Sequence, residues 1–277
     1  MKSFNICIVR PIGYLHSHAF DELAELIRFS LIDLNFDAEI EFNKIDYDKK
    51  NIIIGCHLLN INNMKDVPKS SIIINTEQLY NDFLPEHELI YSWAENFEVW
   101  DYSDRNIIRF NDRGIKNIKL LRLGFQKELM RLDHSKDKDV DILFYGSINE
   151  RRKNILDQLI VKGLTVKSLF GVYGKERDAW IERSKLVINH HYYQSQIFEV
   201  VRVFYLLTNS VAVVGEVNDT TSIDHIYKKG IHPVQYDDLV EACLKVVKDA
   251  KYRYELRDKA IKSIAKYPQK VYTKKLL

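Results

Sequence analysis

Along the chain, short continuous apolar runs alternate with longer segments whose apolar residues recur every three or four positions. The first pattern suits a strand covered on both faces, and the second a helix with one buried stripe. In the first half, residues 5–9 (NICIV), 38–42 (AEIEF), 51–55 (NIIIG) and 71–75 (SIIIN) are expected as strands. Residues 19–34 put Phe20, Leu23, Leu26, Ile27, Ser30 and Leu31 on one helical face. Pro85 and Glu86 open another helix, with proline in the first turn, where its missing N–H costs nothing. Residues 97–100, 107–110 and 118–121 are further short elements. Residues 126–139 (QKELMRLDHSKDKD) break the pattern: charged and poor in apolar positions, they predict a linker. The alternation then resumes, with strands over 141–145, 166–170, 186–189 and 211–215. Helices follow over 150–162, 176–184, 198–208, 237–249 and 253–265. The expectation is an α/β fold of two domains, residues 1–125 and 140–277, with the chemistry in the cleft between them.

Composition sharpens this picture in three ways. With 46% hydrophobic residues, 277 residues supply a real core, which excludes a disordered chain. The 41 Lys and Arg nearly balance 39 Asp and Glu, so no nucleic-acid partner is expected. Cys7, Cys56 and Cys243 are far apart without metal-ligand spacing, and the first two lie in apolar runs, which suits a reducing compartment. The sequence carries no signal-like stretch and no run near the ~20 apolar residues that span a bilayer, so a cytoplasmic enzyme is expected. Lys266, Lys270, Lys274 and Lys275 give the C-terminal end a basic character, which leaves peripheral contact with the inner face of an anionic membrane open.

Ligands of an open parallel sheet bind beyond the carboxyl ends of its strands, so the loops there carry the candidate chemistry. After the strand 141–145, Gly146 permits a close approach, Ser147 or Asn149 can cap the next helix, and Arg151 and Arg152 add positive charge. That combination suits a phosphate, although two solvated arginines at an ordinary junction would look the same. Gly171 and Gly174 flank Tyr173, an aromatic for a base or sugar or a plain turn. His190 and His191 follow the strand 186–189; neighbouring side chains there point opposite ways, so one histidine is expected to face the cleft. In the apolar helix 198–208, Glu199 and Arg202 are the charged residues and share a face, so they pair with each other or meet a polar ligand. In the first half, His16 and His18 follow the first strand and Glu77 the fourth, giving candidate bases. No HExxH, CxxC or P-loop pattern occurs, which weakens zinc and P-loop chemistry.

The runs FYGSINERR, LFGVYGKERD and FEVVRVFYLLTNSVAVVGE together resemble the GT-B glycosyltransferases, and within them a bacterial group linked to surface polysaccharide assembly. The resemblance implies two Rossmann-like domains facing a cleft, a nucleotide-sugar donor on the C-terminal one and a glycan or lipid-linked acceptor on the N-terminal one. It further implies no cofactor and no required metal. Gly146, Ser147 and Arg152 match the phosphate-side loop, and Glu199 the acid of the donor block. The chain departs from the pattern at Leu207, where many retaining members carry a second glutamate, and at Thr208-Asn209-Ser210-Val211, which lacks the usual proline. Glycosyl transfer is the expectation. A non-catalytic nucleotide- or sugar-binding protein, an inactive partner subunit, and a nucleotide-sugar epimerase stand as alternatives on the same scaffold.

Overall fold

A computed structural model gives the protein's structure and describes residues 3–80, 84–134, 137–193 and 195–277. The chain forms two compact units: Met1–Gln126 with Pro268–Leu277, and Lys127–Tyr267. In the first, strands β1 (Ser3–Ile8), β2 (Asp37–Phe42), β3 (Lys50–Ile54), β4 (Ile72–Asn75), β5 (Glu98–Asp101) and β6 (Ile118–Leu120) pair in parallel in the order 2-1-3-4-5-6. Ile6 lies opposite both Ile40 and Ile52. The isoleucines of β3 and β4 are each at most 1% exposed, as unbroken apolar runs require when both faces of a sheet are covered. Helix α1 (Asp21–Ile32) buries the predicted stripe, including Leu23, Leu26, Ile27, Ser30 and Leu31. Helix α2 (Pro85–Asn96) starts on its proline, and α3 (Asp104–Asp112) is capped by Ser103.

The second unit is built the same way. Strands β7 (Val140–Tyr145), β8 (Val166–Leu169), β9 (Ser184–Asn189), β10 (Val213–Glu216) and β11 (His232–Val234) form a parallel sheet in the order 11-10-9-7-8. Helices α4 (Glu150–Val161), α5 (Gly174–Arg183), α6 (Val200–Thr208), α7 (His225–Gly230), α8 (Leu239–Lys248) and α9 (Ala250–Ile264) surround it. The core here joins Ile142, Phe144, Leu186, Ile188 and Val214 of the sheet to Leu159 of α4 and Cys243 of α8.

Three expectations change. Helix α6 begins at Val200, so Glu199 is its N-cap residue with a non-helical backbone, and its carbonyl accepts from the Arg202 and Val203 amides (3.1 Å each). The charged stretch 126–139 is not a free linker. Leu129 is fully buried, Asn209 Oδ1 accepts from the Arg131 and Leu132 amides (2.7 and 3.1 Å), and Asn209 Nδ2 donates to the Leu129 carbonyl (2.8 Å). Residues 135 and 136 of that stretch lie outside the described residues. Finally, α10 (Gln269–Leu276), grouped above with the C-terminal domain, belongs to the first unit and packs on α1. Its buried residues are Gln269, Thr273 and Leu276, while Lys270, Lys274 and Lys275 are exposed. Thr273 Oγ1 bonds Ser30 Oγ (2.7 Å), and Gln269 Oε1 accepts from the Gly124 amide (2.6 Å). Among the described residues no helix is long and apolar enough to cross a membrane.

Candidate functional site

In the second sheet β8 and β9 flank β7, so the strand order reverses between β7 and β9, where parallel sheets hold their ligands. Gly146 follows β7, Asn189 closes β9 and Glu216 closes β10. Three arginines and two glutamates meet at these strand ends.

Arg152, in the first turn of α4, is 3% exposed. Its Nε and Nη2 donate to the His190 carbonyl (3.0 and 2.6 Å), Nη1 to the Ser147 carbonyl (2.9 Å) and Nη2 to Glu199 Oε1 (2.8 Å). Burial brings its guanidinium down to about 10 against the attraction of Glu199, which leaves it charged at neutral pH. A guanidinium has five N–H donors, and four of Arg152's point into the protein. Arg152, matched above to the phosphate-side loop, therefore fastens three chain segments together.

Arg151 is likewise engaged: Nη1 donates to Glu216 Oε2 (2.7 Å), Nη2 to Glu216 Oε1, and the guanidinium stacks 3.8 Å over Tyr236. Glu216, fully buried, also accepts from the His191 amide (2.9 Å).

Arg202 is placed differently. It does not pair with Glu199; Asn189 stands between them, donating to Glu199 Oε2 (3.0 Å) and accepting from Arg202 Nη1 (2.8 Å). Two carboxylates thus answer two guanidiniums, and the third positive charge is held by a neutral amide. Arg202 Nη2 also lies only 2.7 Å from where a Cβ at Gly146 would stand. Gly146, at φ +129°, takes a conformation that only glycine adopts readily, and its bare backbone makes room for that guanidinium.

Around this pair, Ser147 is exposed. Asn149 caps α4 by accepting from the Arg152 amide (3.0 Å), and its Nδ2 donates to the Tyr192 carbonyl (3.0 Å). Tyr173 is half-buried at the N-cap of α5. Neither histidine is turned outward: His190 is fully buried and His191 is 2% exposed. Burial, and then Arg152, push the His190 imidazole down to about 3, so the residue serves the site through its carbonyl. His191 Nε2 lies 3.2 Å from Thr221 Oγ1 and its Nδ1 3.8 Å from Glu199 Oε2. Asn189 and Glu216 were missed in the sequence; the available signal was a polar residue ending an apolar strand (KLVIN, AVVGE).

In the first unit β2 and β3 flank β1, so its reversal lies between β1 and β3. Gly55, at φ +90°, turns the chain after β3 and presents His57, whose Nε2 lies 3.4 Å from Glu77 Oε1. The Glu77 backbone is fixed by Asn75 Oδ1 on its amide (3.1 Å) and by the Asn75 and Asn106 amides on its carbonyl (3.0 and 2.8 Å). Both asparagines are held in turn by the buried Asp101 carboxyl. Burial, then Glu77, raises the Tyr14 phenol. Of the other candidate bases, His18 Nδ1 meets Asp21 Oδ2 (2.9 Å) and the His16 ring packs edge-on against Tyr14. Glu77 thus has His57 as its near neighbour. Among the described residues no three His, Cys, Asp or Glu side chains are grouped to hold a metal ion.

No family model matches the chain. It is 27% identical over 269 residues to an uncharacterised protein of Acanthamoeba polyphaga mimivirus, covering 91% of this chain and 84% of that one. A second uncharacterised protein of the same virus is 28% identical over 233 residues, 80% of this chain and 31% of the longer protein. Among solved structures, Anabaena HepE in complex with UDP superposes with a TM-score of 0.59 at 10% identity, over 99% of this chain and 98% of that one. WaaG, a glycosyltransferase of lipopolysaccharide biosynthesis, gives 0.59 at 9% identity over 98% of each chain. Sucrose-phosphate synthase of Thermosynechococcus elongatus gives 0.63 at 8% identity, over 99% and 97%. The chain has the GT-B glycosyltransferase fold.

Proposed function

We propose that the protein is a glycosyltransferase that moves a sugar from a nucleotide-sugar donor to a glycan or lipid-linked acceptor. The observation that carries this is the uncompensated charge of Arg202 beside the Gly146–Ser147 turn, at the strand-order reversal of the second sheet. A donor diphosphate fits that charge, with the unpaired amides at the start of α4 as further donors. As the sugar leaves, negative charge grows on the diphosphate, and fixed donors that need no reorganisation stabilise it. This electrostatic work needs no divalent metal. Glu199, braced by Arg152 and Asn189, keeps Arg202 in place through Asn189 and offers its remaining lone pairs to donor hydroxyls. In the first unit, Glu77 with His57 is the pair we assign to the acceptor hydroxyl, ahead of His16 and His18. HepE, of the same fold, has been crystallised with UDP and with UDP-glucose, which supports a nucleotide-sugar here.

The test is a thermal-shift series with UDP-, GDP-, dTDP-, ADP- and CMP-sugars, with and without EDTA. Binding to the folded state raises the melting temperature by mass action. One nucleotide class is expected to stabilise the protein equally with EDTA present, and Arg202→Ala to reduce the shift. Failure of every nucleotide would remove the proposal. Donor binding without transfer would point to a binding protein, and sugar interconversion without acceptor to an epimerase.

A further inference from the structure

The second unit has another charged cavity, at the opposite edge of its sheet. It measures about 250 Å³ and is lined at the amino ends of the strands by Ser184, the first residue of β9, and by Ala212, just before β10. Its cationic lining is Lys138, Lys185, Arg253 and Arg257, with His134 beside them, against the carboxylate of Asp137. Lys185 is neutralised by Asp141 (2.7 Å). The other three cations are held by backbone carbonyls. Lys138 donates to the Glu182 carbonyl, Arg253 to those of Val246 and Val247 (3.0 and 2.8 Å), and Arg257 to that of Ser210 (3.1 Å). A carbonyl satisfies a donor but does not cancel its charge. His134 adds a buried Nδ1 with no hydrogen-bond partner, its Nε2 being taken by the Asn209 carbonyl (2.6 Å). Burial, and after it Arg257, draw the Lys138 ammonium down to about 8 despite the pull of Glu182. Like charges gathered in a partly buried concavity cost stability unless an anion joins them.

We propose that this cavity is a second anion site, distinct from the donor site, that takes a multiply charged phosphate group. The cations come from the segment before β7, from β9 and from α9, so an anion there would tie together separate parts of the unit. The phosphate could be carried by a soluble metabolite or by a lipid headgroup, and the chemistry of recognition is the same.

Calorimetric titration of the whole protein with inorganic pyrophosphate at constant ionic strength tests this. Wild type and Arg202→Ala are both expected to bind, which separates the cavity from the donor site. In the Lys138→Gln/Arg257→Gln variant, loss of two charge-assisted hydrogen bonds should weaken binding at least about tenfold. Lys138→Gln alone serves if the double variant does not fold. A parallel arm measures retention on vesicles containing phosphatidic acid. Retention that depends on Lys138, with no pyrophosphate binding, assigns the phosphate to a lipid; pyrophosphate binding assigns it to a soluble ligand. Binding of neither probe, or binding that both variants leave unchanged, would overturn the proposal.

Discussion

Arg152 and Arg202 lie at one set of strand ends, yet their removal should have opposite consequences. Arg152→Ala strips Glu199 of its charged partner and leaves two carbonyls without donors. Breaking a buried pair from one side costs about 3–5 kcal/mol, so the urea midpoint should fall sharply. Arg202→Ala removes a charge that no carboxylate among the described residues answers; the midpoint should hardly move, while donor affinity drops about tenfold to a hundredfold. Urea denaturation and donor titration on both variants check this, and equal destabilisation by the two would sink the assignment. The sequence could place Gly146 at a strand end and Arg202 in the helix that follows β9, because spacing reveals where an element stops. It could not tell Arg152 from its neighbour as an inward fastener. The carboxylates that claim Arg151 and Arg152 are Glu216 and Glu199, far along the chain, and only the fold brings them there.

The parallel strands were legible because burial on both faces leaves an unbroken apolar signature. The short pair α7 and β11 left none: HIYKKG and HPV mix charge, glycine and proline, and they are ordered by packing on longer neighbours. For polar residues at strand ends the position was legible but the burial was not, and two of them set how stability should vary with pH. His190, just beyond β9, sits near 3 in the fold against an ordinary 6.5. The unfolded chain therefore binds a proton that the folded one refuses, and stability should fall as pH drops from 6.5 toward 3. Asp101, closing β5, behaves in the reverse sense, since burial raises it from 3.8 to about 7. Its contribution is complete below about pH 4 and is lost as pH climbs through 7. Urea midpoints of His190→Gln and Asp101→Asn, followed from pH 4 to pH 8, should each lose the slope assigned to that residue. Parallel curves for wild type and both variants would refute these assignments.

At the scale of the whole molecule, two α/β halves were visible from the alternation of runs, but their membership was not. The closing helix α10 escaped notice because two of its three buried residues, Gln269 and Thr273, are polar. A stripe so composed looks solvated. Removing residues 268–277 should therefore destabilise the first unit, which loses the Ser30–Thr273 and Gly124–Gln269 bonds and the cover on α1. The second unit should keep its donor-induced thermal shift, since the residues assigned to its strand-end site all lie within 127–267. Calorimetry with and without donor distinguishes the two, and a truncated chain that melts like the parent would show the helix to be dispensable.

That return of the chain also orders events on the ribosome. The segment that completes the first unit is translated after every residue of the second, so the half made first cannot be finished first. Residues 127–267 have all their own parts on emergence, whereas the N-terminal sheet must wait, with one flank of α1 uncovered, until α10 leaves the exit tunnel. A nascent chain stalled before Pro268 should accordingly hold a protease-resistant second unit beside a still-susceptible first one.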